Sequence, residues 1–113
     1  MHELALCESV VRIVEREARA HDARRVCSVR LRVGVLSCAS AEAVTFCFRA
    51  ASHGTLAQDA RLEVTRTPGA AWCLDCETTV GIGARGDACP LCGGYHLHVT
   101  SGEELQLAEL EIE

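Results

Sequence analysis

The spacing of hydrophobic residues over the first 68 positions changes from a helical period to a strand period. From Leu6 to Ala18, apolar residues recur every three or four positions among acids and arginines, which predicts an amphipathic helix over roughly 4–21. From Cys27 to Val35, every second residue is apolar, which predicts a strand with one buried face. The helix positions are Leu6, Val10, Ile13, Val14 and Ala18, and the strand positions are Cys27, Val29, Leu31, Val33 and Val35.

A second helix and a second strand follow in the same order. Ser40 is a suitable N-cap for a helix that ends near Gly54. Leu62 and Val64 alternate with polar residues, which predicts a strand that stops at Pro68-Gly69. The apolar positions of the second helix are Val44, Cys47, Phe48 and Ala51.

Residues 70–100 differ from the preceding residues in composition. They contain four cysteines and five of the nine glycines, and their hydrophobic periodicity is weak. We expect no hydrophobic core to hold this segment. After Ser101-Gly102 the chain becomes strand-like, with a parity slip near Ala108-Glu109 that suggests a bulge. A terminal strand needs a sheet to join, so the cysteine segment is predicted to be an insertion between two strands of one sheet. The predicted domains are 1–68 plus 102–113 and, inserted between them, 69–101.

Charge and composition narrow the functional classes. The chain has 113 residues, 49% hydrophobic and 24% charged, which fits one globular domain with a small appendage. A net charge of −5 disfavours a nucleic-acid binder, and no apolar stretch resembles a signal peptide or a membrane span. We therefore predict a cytoplasmic protein with no nucleic-acid or membrane partner. In a reducing compartment its eight cysteines favour metal ligands or buried thiols over disulfides.

Two CxxC pairs, Cys73–Cys76 and Cys89–Cys92, are separated by twelve residues. Two such knuckles supply four thiolates, the tetrahedral set that zinc readily takes, so Cys73, Cys76, Cys89 and Cys92 are predicted to bind one structural zinc ion. Disulfides, a redox motif and a rubredoxin-like iron site are the alternatives. The remaining cysteines, Cys7, Cys27, Cys38 and Cys47, share no ligand spacing and are predicted to be mostly small buried residues.

The amino terminus carries a second candidate metal site. A histidine at position 2 usually has no role, but here its chemistry is unusual. If Met1 is retained, the free α-amine, the amide nitrogen of His2 and its Nδ1 can close adjacent chelate rings on one ion. The amide of Glu3 or an outside side chain can add a fourth nitrogen. A plane of nitrogens is the geometry that Ni(II) or Cu(II) favours.

Seven short motifs follow one another along the chain. They are Met1-His2-Glu3-Leu4, Leu36-Ser37-Cys38, Phe46-Cys47-Phe48, Gly54-Thr55-Leu56, Trp72-Cys73-Leu74-Asp75-Cys76, Cys89-Pro90-Leu91-Cys92-Gly93 and Ser101-Gly102-Glu103-Glu104-Leu105. Together these motifs resemble the HypA/HybF family of hydrogenase maturation proteins. The resemblance covers essentially the whole chain, and its motifs are jointly specific.

The resemblance implies a nickel metallochaperone that is not an enzyme. It would carry Ni(II) at its N-terminus and, with a hydrogenase maturation GTPase, supply it to the large subunit of [NiFe]-hydrogenase; some relatives also serve urease. It implies His2 as the nickel ligand, with Met1 and Glu3 contributing through the backbone. The implied fold is α+β: two helices on a small, mainly antiparallel sheet with an inserted zinc-ribbon-like domain. A monomer or a weak homodimer is expected.

One feature departs from the family pattern. Some relatives have histidines beside the zinc cysteines, whereas this chain has His96 and His98 on one face of a predicted short strand. His98, and less so His96, is a candidate extra nickel ligand; otherwise both are half-exposed strand residues. The main rival function is a zinc-ribbon module that binds protein or nucleic acid. Such a module has no use for His2 and usually has basic residues around its knuckles, where this chain has only Arg85.

Overall fold

In the computed structural model, all residues are described except Met1, Cys38 and Ala39; for His2 only the backbone is described. The elements in chain order are two helices and six strands. They are α1 (His2–Ala20), β1 (Val26–Gly34), α2 (Ala41–Ser52), β2 (Arg61–Thr67), β3 (Gly69–Cys73), β4 (Thr78–Ile82), β5 (Leu97–Ser101) and β6 (Leu105–Ile112). No helix of the described chain is long and apolar enough to span a membrane.

The strands form two three-stranded sheets, in the orders β2-β1-β6 and β4-β3-β5. In the first sheet the C-terminal strand β6 pairs beside β1, so the sequence prediction that the last strand returns to the first sheet is confirmed. The half-buried positions of β6 change parity between Leu107 and Ala108, where the sequence places a bulge. The predicted α+β fold with an inserted four-cysteine segment is confirmed.

The chain divides into two compact units. The first contains the described residues of 1–32, 39–65 and 105–113, and in it α1 packs against α2. The second contains the described residues of 33–38 and 66–104, including the sheet β4-β3-β5. We call them the helical unit and the cysteine unit.

The buried face of α1 differs in part from the face predicted from sequence. Ile13, a predicted core residue, is 43% exposed, whereas Cys7 and Val11 are buried. The difference arises from packing between the two helices, because α1 directs Cys7 toward α2. The Sγ of Cys7 donates to the carbonyl oxygen of Val44 at 3.6 Å. Buried side chains of this unit are Cys7, Val10, Val11, Val14, Ala18, Val26, Val29, Leu31, Val44, Phe48 and Ala57.

Helix α2 begins where the sequence places its start. Ser40 has an extended backbone (φ −82°, ψ 158°), and its hydroxyl accepts from the N–H of Ala43 at 3.1 Å. The helix ends at Ser52, and Gly54 follows with a φ of +77°. The side-chain bond at Ser40 satisfies one of the N–H groups that have no acceptor within the helix.

The expectation that residues 70–100 lack a hydrophobic core was wrong. Ala71, Val80 and Ile82 are buried in a cluster with Leu36 and two of the cysteines, Cys73 and Cys89. The cluster exists because β3 pairs antiparallel with both β4 and β5, which brings short apolar segments onto one face of a sheet. Each strand has only five residues, so the alternating pattern is too short to stand out in the sequence.

Candidate metal centre

The two CxxC segments fold as matched knuckles. In the first, Glu77 donates its N–H to the carbonyl oxygen of Cys73 at 2.8 Å; in the second, Gly93 donates to that of Cys89 at the same distance. Both donors have a positive φ, +51° for Glu77 and +73° for Gly93. Glycine adopts this conformation without steric cost, whereas glutamate does not. The first knuckle therefore keeps the same turn despite lacking the glycine.

The four sulfur atoms converge on one point. The Sγ atoms of Cys73, Cys76, Cys89 and Cys92 all lie within 4.8 Å of one another. Across the knuckles, Cys73 and Cys92 are 3.8 Å apart, and Cys76 and Cys89 are 3.9 Å apart. A tetrahedron with Zn–S bonds of about 2.3 Å has edges of about 3.8 Å, so the two distances across the knuckles match the edges of a zinc site.

The surroundings of the sulfur atoms shift the thiol pKa values of Cys89 and Cys76 in opposite directions. The backbone N–H of Cys92, followed by that of Leu91, lowers the pKa of the Cys89 thiol from 9.0 to about 7. By contrast, a hydrogen bond with the Cys92 side chain, followed by burial, raises the pKa of Cys76 to about 12. The thiolate is the form that binds metal, so the two backbone N–H groups at Cys89 favour the metal-binding form of that residue.

The site is closed rather than open. Cys73 is fully buried and Cys89 is 2% exposed, and both pack within the hydrophobic cluster of the cysteine unit. Four protein ligands complete a tetrahedron and leave no position for substrate, which is typical of structural zinc. Zinc at this site would hold the two knuckles together and stabilise the sheet to which they are attached.

His98, the other predicted site residue in the cysteine unit, does not join these four cysteines in one group of candidate ligands. Among the described residues, the four cysteines are the one group of three or more candidate ligands within 4.8 Å of one another. Met1, like Cys38, lies outside the described residues, and His2 begins α1 with only its backbone described. Glu3 lies in the first turn of that helix. The nickel site proposed for these residues therefore stays a prediction.

The scattered cysteines have different environments. Cys7 is fully buried, as predicted, and burial, followed by the nearby Cys47 and Glu3, raises its thiol pKa to about 11. Cys27 and Cys47 are only half-buried, although they were predicted to be buried. On β1 the buried positions beside Cys27 are Val26 and Ser28.

Sequence reasoning missed a contact beside the cysteine site. Nδ1 of His96 lies 2.9 Å from an Oδ2 oxygen of Asp75, which is inside the first knuckle. The two residues are 21 positions apart. They meet because the N–H of Leu74 donates to the carbonyl oxygen of His96, which extends the β3–β5 ladder by one residue. No local pattern signals such a pair.

Comparison with known proteins agrees with this architecture. The family described as "Hydrogenase/urease nickel incorporation, metallochaperone, hypA" matches residues 1–112. The chain is 54% identical to the hydrogenase maturation factor HypA of Rhodopseudomonas palustris strain TIE-1, and 50% identical to HypA 2 of Bradyrhizobium diazoefficiens. Each alignment covers the whole of both chains.

Solved structures show the same fold. The solution structure of the Ni metallochaperone HypA from Helicobacter pylori aligns with a TM-score of 0.72, at 22% identity, over 97% of this chain and 96% of that one. A second solution structure, of HypA protein, gives 0.74 at 23% identity, over 100% of this chain and 97% of that one. The whole-chain family match and the four-cysteine centre lead to one conclusion: this chain belongs to the HypA family of nickel-incorporation metallochaperones.

Proposed function

We propose that this chain is a nickel carrier rather than an enzyme, and that it holds one Ni(II) ion at its amino terminus. The ligands are the α-amine of Met1, the amide nitrogen and Nδ1 of His2, and the amide of Glu3 or an outside side chain. The observation that carries the proposal is the family match, which includes the residues Met1-His2-Glu3.

The start of α1 at His2 supports this ligand set. The first N–H groups of a helix have no acceptor within the helix, so a metal bound through the amide of His2 breaks no helical hydrogen bond. A square-planar set of nitrogens selects Ni(II) or Cu(II) by geometry, whereas affinity alone does not separate the first-row metals. Release follows from the same chemistry, because protons compete for the amine and the imidazole as pH falls.

The two metal-binding roles are assigned to the two predicted domains. Nickel binding belongs to 1–68 plus 102–113, and structural zinc to 69–101. The proposed partners are a hydrogenase maturation GTPase, which assists transfer, and the large subunit of [NiFe]-hydrogenase, which receives the ion; urease is a second proposed destination. We expect the protein to act in the cytoplasm as a monomer or weak homodimer.

The rival zinc-ribbon function finds less support in the surface of the cysteine unit. Arg85 is the only basic residue between the two cysteine pairs. It is engaged by neighbouring acceptors, because its Nε donates to the carbonyl oxygen of Leu36 at 3.1 Å and a terminal nitrogen pairs with Glu103. Nucleic-acid binding normally relies on exposed basic groups that contact phosphate. An iron site is distinguished by colour, since an Fe(III) tetrathiolate is red and zinc is colourless.

The test is nickel binding to untagged, zinc-loaded protein measured by titration calorimetry and metal analysis. We expect a one-residue N-terminal extension, and separately His2→Ala, to remove the tight nickel equivalent while one zinc per chain remains. His21→Ala is the matched control, since it removes an imidazole beyond the end of α1. Unchanged nickel affinity in both terminal variants would refute the amino-terminal site.

A further inference from the structure

Two cysteines outside the metal centre lie on the two helices that pack against each other in the helical unit. Cys7, on α1, is fully buried, and its Sγ donates to the carbonyl oxygen of Val44 on α2 at 3.6 Å. Because the side chain of cysteine is short, this bond requires the backbone of α1 to lie close to that of α2. The helix interface is therefore narrow at Cys7 and contains a thiol.

The second cysteine, Cys47, lies one turn after Val44 on α2. The Cα–Cβ bonds of a helix tilt toward its N-terminus, so a side chain covers the turn that precedes its own Cα atom. The side chain of Cys47 therefore leans back toward the turn whose carbonyl oxygen accepts from Cys7. In agreement, Cys47 is the second cause, after burial, of the raised pKa of the Cys7 thiol. The two thiols are neighbours across the helix interface.

The two thiols differ in their access to solvent. Cys7 is fully buried, whereas Cys47 is half-buried and lies between the buried positions Val44 and Phe48 on α2. Cys47 therefore lies at the border of the interface, where a small oxidant can reach its sulfur, and Cys7 lies behind it. Redox-sensitive cysteines are accessible and often lie next to a second cysteine that forms a disulfide with them.

We propose that Cys7 and Cys47 form a reversible disulfide when the protein is exposed to a peroxide. The thiolate of Cys47 attacks one oxygen of hydrogen peroxide, which gives a sulfenic acid and hydroxide. The sulfur of Cys7 then displaces the hydroxyl group of the sulfenic acid, and the proton of the Cys7 thiol leaves with it as water. In total, two thiols are oxidised to one disulfide and one peroxide is reduced to two waters. A cellular thiol such as glutathione reverses the reaction by thiol–disulfide exchange.

The reduced pair is the resting state in this proposal. Both cysteines are free in the structure, and disulfides in a reducing compartment are usually transient and redox-sensing. The half-buried Cys27 has a different environment, since its Sγ donates to the carboxylate of Glu113 at 3.6 Å. Cys27 therefore offers a comparison cysteine of similar burial outside the helix interface.

The disulfide would join the first two turns of α1 to the middle of α2. The two cysteines are 40 positions apart, so the bond closes a long loop and restricts the unfolded chain. We expect the oxidised helical unit to unfold at a temperature about 10 °C higher than the reduced one. The inference is independent of the proposed nickel site, because neither thiol is among its ligands.

The test is oxidation of zinc-loaded, full-length protein with excess hydrogen peroxide, followed by alkylation of the remaining thiols and mass spectrometry. Cleavage after arginine and glutamate separates Cys38 from Cys47, since Glu42 lies between them in the sequence. We expect one linked pair of peptides that contains Cys7 and Cys47 and is separated by dithiothreitol. Zinc content is measured on the same sample, because loss of zinc would expose four further thiols to the oxidant.

Three variants assign the chemistry to the pair. Cys47→Ser should abolish the linked peptides and the rise in unfolding temperature. In Cys7→Ser the sulfenic acid on Cys47 has no resolving thiol, so it should accumulate and be trapped by dimedone. Cys27→Ser, the matched half-buried control, should form the disulfide as the wild type does. Circular dichroism verifies folding, and if Cys7→Ser fails to fold, the wild type and Cys47→Ser decide the question.

Two results would overturn the proposal. In the first, Cys7 stays fully alkylated while Cys47 is oxidised to a sulfinic acid or linked to a different cysteine. In the second, both thiols remain free in the folded protein and the link between them forms only after unfolding in urea. Either result would show that the two sulfur atoms do not meet across the native interface. A Cys7–Cys47 link in folded protein that retains its zinc supports the proposal whether or not nickel binds at the amino terminus.

Discussion

Gly34, at the end of β1, packs its backbone directly against the carbonyl group of Gly102. A Cβ atom on Gly34 would lie 1.9 Å from the Gly102 oxygen, which is a severe clash with backbone. Two hydrogen bonds hold the segments together: the N–H of Leu36 donates to Gly102 at 2.8 Å, and the N–H of Gly34 donates to Glu104 at 2.7 Å. Gly102 also has a φ of +100° and faces the Cα of Gly69, which a Cβ would approach to 2.6 Å.

Alanine at either glycine should therefore destabilise the cysteine unit. We expect Gly34→Ala and Gly102→Ala each to cost about 1–3 kcal/mol, because the clashing atoms are backbone and cannot rotate away. Urea unfolding of zinc-loaded protein measures the change. Gly81→Ala is the control, since a Cβ there meets no atom within 4 Å. Equal midpoints for Gly34→Ala and Gly81→Ala would contradict the importance of this close packing.

The long periodic elements could be predicted from sequence because their own composition specifies them. Helix α2 has its cap at Ser40 and buries Val44 and Phe48 one turn apart, as its spacing indicates. The role of Gly34 could not be predicted in this way. Its partner Gly102 is 68 positions away, and the alternation of β1 simply counted it as a polar position. Close backbone approach is a property of the assembled fold.

Two phenylalanines two positions apart in α2 should respond very differently to truncation. Phe48 is 1% exposed and belongs to the core of the helical unit, whereas Phe46 is 76% exposed. Phe48→Ala should lower the free energy of unfolding by about 3–5 kcal/mol, since it removes a buried ring and leaves a cavity.

Phe46→Ala is the matched control, and its effect should stay within about 0.5 kcal/mol. Thermal unfolding followed by far-ultraviolet circular dichroism reports on both. Comparable destabilisation by the two variants would show that Phe46 is not exposed in solution. A loss of nickel-enzyme maturation in Phe46→Ala without a loss of stability would instead indicate that this ring contacts a partner.

The buried thiol of Cys7 should make the helical unit less stable in alkali. Burial, then the neighbouring Cys47, raises its pKa from 9.0 to about 11, so the folded protein holds the proton more tightly than the unfolded chain. Stability from this group is complete below pH 9 and is lost progressively as pH rises toward 11. In unfolding curves from pH 8 to 10.5, Cys7→Ala should show a smaller loss than the wild type.

Cys27→Ala is the control for that comparison, because Cys27 is half-buried and bonds to the terminal Glu113 at 3.6 Å rather than lying in the helix interface. It should follow the wild-type pH dependence. Cys7→Ala also removes a buried side chain, so it should be less stable at pH 8. An equal loss of stability in Cys7→Ala and the wild type between pH 8 and 10.5 would show that the Cys7 thiol is not the group responsible.

The candidate metal centre was more predictable than the sheet around it. Ligand spacing alone identified Cys73, Cys76, Cys89 and Cys92, because a tetrahedral ion imposes the CxxC pattern locally. The strands that support them are five residues each and contain small residues, so their pairing depends on contacts distant in sequence. For the same reason, the Asp75–His96 contact could not be predicted from the sequence. Spacing identifies ligands, whereas their supporting partners are known only once the ladder is formed.

Zinc should be required for the fold of the cysteine unit, even though that unit has its own apolar cluster. Cys73 and Cys89 lie inside the cluster, so removal of the metal takes away the ion that joins the two knuckles beside buried Ala71 and Val80. Cys92, by contrast, is exposed, and Cys92→Ala removes one ligand with little loss of packing. We expect that variant to lose its zinc and the native Trp72 environment, while the helical content of α1 and α2 remains.

Two measurements decide whether the metal, rather than the side chain, is responsible. Chelation of wild-type protein should reproduce the Cys92→Ala spectrum, and Cys47→Ala, a half-buried cysteine outside the site, should retain one zinc per chain. Protons compete with zinc for thiolates, so zinc loss should increase as the solution is acidified. Stoichiometric zinc and a native Trp72 spectrum in Cys92→Ala would show that three thiolates suffice, and that the fourth ligand is replaceable.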